Sequence, residues 1–83
     1  MTLADARKIL DPGTICYRPP GDTRWWARSP GVGTTWITGA TEEEAMVALV
    51  FHILLEELGT INRYRRAQGL PHLSIEERMR EVA

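Results

Sequence analysis

The chain has 83 residues, a length that suits a single domain spanning 1–83, and so short a chain hides only about 60% of its unfolded surface on folding. A hydrophobic share of 43% and a charged share of 25% are ordinary globular values, which set aside a disordered or fibrous class. The formal net charge of −1 and the pI of about 6.1 weigh against a dedicated nucleic-acid binder, for which a domain pI above roughly 9 is usual.

The first eight residues lack a basic stretch leading into an apolar one, so no secretory signal is read there and a cytoplasmic protein is expected. Residues 2–10 predict a short helix, with Thr2 as N-cap, Asp5 in the first turn, and Asp11-Pro12-Gly13 as the stop. Thr14 to Arg18 alternates and is rich in β-formers, and Pro19-Pro20-Gly21-Asp22 then forces a turn. Cys16 in this strand is the chain's only cysteine, which excludes an internal disulfide framework and fits a reducing compartment. Thr23 to Ser29 predicts a second strand, with Trp25 and Ala27 on one face and Arg24, Trp26 and Arg28 on the other. Pro30 to Gly33 reads as a loop, and Thr34 to Thr38 as a third strand ending at Gly39, which suggests an antiparallel meander.

Thr41, with Glu44 three residues on, forms a capping box, and Glu42 and Glu43 complement a helix N-terminus. The helix that follows is expected to run to about Leu58 and to end at Gly59, with a second stretch from Ile61 to Gln68; one kinked helix through Gly59 is the alternative. Its apolar residues, from Met46 to Leu58, cover more than half the circumference, a face wider than one small sheet needs, and a homodimer is expected from it. The run Ala45 to Leu55, broken by His52, falls far short of the roughly 20 residues that span a bilayer. Ser74 and Glu77 form another capping box, for a C-terminal helix from Ile75 to Val82. The fold class is therefore α+β: a three-stranded antiparallel sheet packed against one long helix (β-β-β-α), with short N- and C-terminal helices.

No nucleophile with a base, paired carboxylates or metal-ligand spacing emerges, so no catalytic residue, cofactor or metal site is assigned and an enzyme is not expected. His52, with Glu56 four residues on, reads as a surface or interface histidine, and His72 shares no ligand spacing with His52 or Cys16. Gly31-Val32-Gly33 lacks the context of a nucleotide loop and reads as a hairpin turn. Helix capping accounts for the Glu42-Glu43-Glu44 run.

The candidate binding residues are basic and aromatic. Nine of the ten basic residues are arginine, the side chain suited to bidentate and stacked contacts. Residues 41–59 hold five acidic and no basic groups, whereas 1–40 and 60–83 each hold five basic against three acidic. Trp26, flanked by Arg24 and Arg28, is the tryptophan expected to face a partner, because Trp and Arg are enriched at interface hot spots; an edge tryptophan partly covered by arginine stems is the alternative. Arg63, Tyr64, Arg65 and Arg66 form the second candidate, a cluster that suits weak nucleic-acid contact as well as a solvated helix face.

Trp25-Trp26-Ala27-Arg28, Pro30-Gly31, the run Thr34 to Thr38, Gly39, and Thr41-Glu42-Glu43-Glu44-Ala45 follow one another as in a HicB-like antitoxin domain, which the stretch Trp25 to Leu58 resembles. Ala40 stands where that family often has aspartate, and neither the further strand nor the DNA-binding segment that follows the domain in such antitoxins is evident after Leu58. The resemblance implies a three-stranded sheet followed by a helix, in a small non-catalytic module that dimerises and covers an RNA-cleaving toxin. The expected function is a protein-binding inhibitor or regulator of a nucleic-acid-handling partner. A phage-encoded inhibitor of a host defence complex, of the anti-CRISPR type, fits the same features; direct nucleic-acid binding is the third reading.

Overall fold

The computed structural model describes residues 1–31 and 35–82, and it is α+β in the order predicted. A short helix α1 (Leu3–Ile9) precedes strands β1 (Ile15–Tyr17), β2 (Trp25–Arg28) and β3 (Ile37–Gly39), a long helix α2 (Glu42–Ala67) and a short helix α3 (Ile75–Val82). The sheet is antiparallel in the order β1-β2-β3, with Cys16 opposite Ala27 and Ala27 opposite Ile37. The third strand begins later than the β-prone run suggests and takes in Gly39; Val32, Gly33 and Thr34, on which part of the predicted loop and strand fall, lie outside the described residues.

The described residues form two compact units, Met1–Phe51 and His52–Ala83, and α2 is a continuous helix that contributes 42–51 to the first and 52–67 to the second. In the first unit Ala6, Leu10, Ala27, Ala45, Met46, Leu49 and Val50 are buried. Full burial of side chains such as Leu49 and Val50 stabilises by about 1.5–3 kcal/mol each. Gly39 brings the end of β3 directly onto the first turn of α2: a Cβ there would lie 2.8 Å from the Glu44 carbonyl carbon and 2.9 Å from Ala45 Cα.

The acidic triplet that opens α2 does more than cap it. The Glu44 N–H donates to Thr41 Oγ1 (3.1 Å), and the Glu44 carboxylate accepts from the Ala40 N–H (2.9 Å), one residue before the position a standard capping box would use. Glu43 Oε1 accepts the Leu3 N–H (2.8 Å) and so satisfies an otherwise orphaned donor at the start of α1. Glu42 pairs with Arg7 (2.7 Å), a surface ion pair worth at most about 1 kcal/mol. Thr2 and Asp5 form a full capping box on α1.

The expected break at Gly59 does not occur. Gly59 has no left-handed backbone angle, and the helix passes through it, at an intrinsic cost of about 1 kcal/mol relative to alanine. The stop comes at Gly69 (φ 73°), where the Gly69 N–H donates to Arg66 O (3.1 Å) and the Leu70 N–H to Arg65 O (2.9 Å), the paired bonds of a Schellman motif. A glycine permits a helix end, but the end falls where the following residues supply those two bonds.

In the second unit the Asn62 side chain brackets Leu73, its amide donating to Leu73 O (3.0 Å) and its oxygen accepting the Leu73 N–H (2.7 Å). Arg65 Nε donates to Pro71 O (2.8 Å), so the loop after α2 is held to the helix at two points. The α3 helix starts at Ser74, whose Oγ accepts the Glu77 N–H (3.2 Å), and Arg78 on α3 pairs with Glu57 on α2 (3.2 Å) and with Glu81 (3.1 Å).

Candidate functional site

Strand alternation divides the sheet residues between two faces. Cys16, Ala27 and Ile37 share one face, with Ala27 fully buried. Tyr17, Trp26 and Thr38 lie in cross-strand register on the other, with Ile15 opposite Arg28 beside them. This outer face is the more open one: Ile15 is 47% and Tyr17 46% exposed.

Trp36, immediately before β3, joins the aromatic residues of this face into a cluster. Its ring centroid lies 5.7 Å from that of Tyr17 and 6.4 Å from that of Trp26, both at steep interplanar angles (69° and 76°). The Arg28 guanidinium lies over the Trp36 ring at 4.7 Å, a cation–π contact worth about 0.5–1 kcal/mol at an exposed site. Of the predicted partner-facing residues, Arg28 thus belongs to the cluster. Arg24 is exposed beside it, with Nε on Thr38 Oγ1 (3.3 Å).

Trp26 is not the free tryptophan that its arginine flanks suggest. It is half-buried, as Trp25 is, because its indole N–H donates to Asp22 (3.0 Å) and its ring packs beside Trp36. The backbone N–H of Arg24 also donates to Asp22 (2.9 Å), and these bonds hold the Asp22 carboxyl below its ordinary value of 3.8, the Arg24 backbone bond contributing most. Tyr17, Trp36 and Asp22 escape a reading along the chain: the first two need the register to place them beside Trp26, and Asp22 signals only a turn.

The basic helix segment is not one surface. Arg63 and Arg66 line a cleft of about 280 Å³ together with Gly59, Asn62 and His72. Arg65 is half-buried and tied to Pro71 O, whereas Tyr64 is 67% exposed and is not part of the cleft. The helical period explains this division, because residues 59, 62, 63 and 66 fall on one side at 100° per residue and 64 and 65 fall away from it.

The apolar face of α2 is only partly used. Met46, Leu49, Val50, Leu54 and Leu58 are buried, but Phe51 stays 38% exposed beside a depression of about 400 Å³ lined by Met1, Glu43, Glu44, Val47 and Ala48.

His52 stands 3.5 Å from Glu56, the i,i+4 pair expected from their spacing. Burial pushes the Cys16 thiol up, with the charge of Glu42 adding to it, which disfavours the reactive thiolate. Among the described residues no group of three or more His, Cys, Asp or Glu could hold a metal ion, and no helix is long and apolar enough to cross a membrane.

Comparison with protein-family models finds no match, and neither the curated proteins nor the solved structures yield one.

Proposed function

We propose that this chain is a small non-catalytic binding module of the HicB-like regulatory type, which inhibits or regulates a nucleic-acid-handling protein by docking on it through the outer face of the sheet. The observation that supports this reading is the cluster of Tyr17, Trp26, Arg28 and Trp36 on an open sheet face. These are the residue types that dominate interface energetics, and here they are already packed against one another, so little side-chain freedom is lost on docking.

A protein partner suits the cluster better than nucleic acid does. Base stacking needs flat aromatic faces presented outward, whereas these rings meet at steep angles and Arg28 lies over Trp36. The Asp22 carboxylate beside Trp26 would also repel phosphate. The toxin and the defence-complex subunit remain the two classes of target, and the gene neighbourhood separates them.

The test is affinity capture from the native host, followed by calorimetry on the purified partner with wild type, Tyr17→Ala and Arg28→Ala. Loss of at least tenfold in affinity, about 1.4 kcal/mol, is expected for each variant. A partner bound equally well by all three would exclude the sheet face as the interface. Self-association belongs to the same proposal, with the exposed Phe51 covered by a second copy; light scattering that shows a strict monomer at high concentration would contradict it.

A further inference from the structure

The cleft beside the second half of α2 has features that the sheet-face reading does not use. Arg63 and Arg66 are exposed, and neither makes a salt bridge among the described residues. His72 reaches the same cleft from the loop after the helix. That loop is fixed by the two Asn62–Leu73 hydrogen bonds, the Arg65–Pro71 bond and the Gly69 stop, so the backbone that carries His72 is positioned beside the one volume of about 280 Å³ that Arg63 and Arg66 also line.

Gly59 supplies an independent observation. A glycine inside a helix destabilises it, and the usual reasons to keep one are missing here: its backbone angle is not left-handed, and a Cβ at this position would meet nothing within 4 Å. The fold does not require it. What Gly59 does is leave a wall of the cleft bare, so that a ligand can approach the helix backbone between the arginines and the loop.

We infer that the cleft of Gly59, Arg63, Arg66 and His72 is a binding site for a phosphate group. Guanidiniums are the side chains best matched to phosphate oxygens, through parallel N–H donors and a charge that no accessible pH removes. Donors arriving from both a helix and a loop suit a tetrahedral anion with several oxygens better than a planar carboxylate. The phosphate is either free, as inorganic phosphate or a small monoester, or part of a nucleic-acid backbone; the site chemistry is the same for both. This inference is independent of the sheet face, whose residues lie in the other unit.

The test is a backbone amide NMR titration of the full chain with inorganic phosphate and, separately, with a short single-stranded oligonucleotide, each at constant ionic strength against a chloride control. Saturable shifts confined to residues 59–66 and 72 are expected with at least one probe. Tighter binding of the oligonucleotide, weakening steeply with salt, identifies a backbone phosphate; equal affinity per phosphate identifies a small ligand. The pair of substitutions Arg63→Gln and Arg66→Gln, both at exposed positions, should weaken binding at least tenfold. Gly59→Ala should weaken it several-fold while raising the melting temperature, a combination that a purely structural glycine would not give. No saturable shift with either probe, or unchanged affinity in Gly59→Ala, would overturn the site.

Discussion

Gly39 lies where β3 runs into the first turn of α2, and its missing side chain is what lets the two backbones meet. An added Cβ would press on backbone atoms of Glu44 and Ala45, which cannot rotate away as a flexible side chain could. Gly39→Ala is therefore expected to destabilise the first unit by about 1–3 kcal/mol, read as a lower urea midpoint by tryptophan fluorescence. A midpoint equal to wild type would mean that the strand and helix separate at no cost. Asp22 gives a second expectation at this scale. Its folded carboxyl lies below the ordinary value of 3.8, so its stabilising contribution is fully present above 3.8 and is lost as pH falls from there through the lowered folded value. Asp5, lowered chiefly by its bond to the Thr2 backbone, acts in the same direction. The stability gap between wild type and Asp22→Asn should therefore narrow only on the acid side of 3.8; a gap constant across that range would show that the charge on Asp22 is irrelevant.

Among the elements, Asn62 carries the largest single share of loop positioning. It satisfies both the N–H and the C=O of Leu73, and its removal would leave both groups seeking partners at a part-buried position. Asn62→Ala is expected to cost about 1–3 kcal/mol and to speed hydrogen exchange at the Leu73 amide, whereas unchanged exchange would show that the loop is held by other contacts. Such a pairing, across eleven residues, is invisible along the chain, and so is the Arg78–Glu57 bridge. What was legible is local: the Thr41 cap, the stop after α1, the turn at Pro19–Asp22 and the start of α3 each depend on neighbours within four residues. Gly59 leaves two readings open along the chain, an end and a helix running through, for the same reason: a glycine signals permission to end a helix, and the ending is decided by the bonds that Gly69 and Leu70 make. The sheet face was half legible. Alternation placed Trp26 with Arg28, but only the register brought Tyr17 and Trp36 to them. Arg63 to Arg66 adjoin in sequence, but adjacency in sequence is not adjacency on a helix, and only Arg63 and Arg66 line the cleft.

At the scale of the whole chain, the two units differ in how much they bury. The first holds most of the buried apolar side chains, whereas Leu54 and Leu58 are the buried ones described in the second, and α3 contributes none. Regions with few buried apolar contacts open at lower free energy than the core, so the second unit should unfold first. The chain reports on this without labels, because Trp25, Trp26 and Trp36 all lie in the first unit, while the α2 residues 52–67 and all of α3 lie in the second. In urea, the far-ultraviolet circular dichroism should begin to lose helix at a lower concentration than that at which tryptophan fluorescence changes. Coincident transitions would instead mean that α2, running unbroken from residue 51 to residue 52, makes the two units unfold as one. The Gly59→Ala variant sharpens the comparison: Gly59 lies inside the second unit, so a stronger helix there should move the loss of helix to higher urea while the fluorescence transition stays in place, and an unmoved loss of helix would mean that the second unit does not set it.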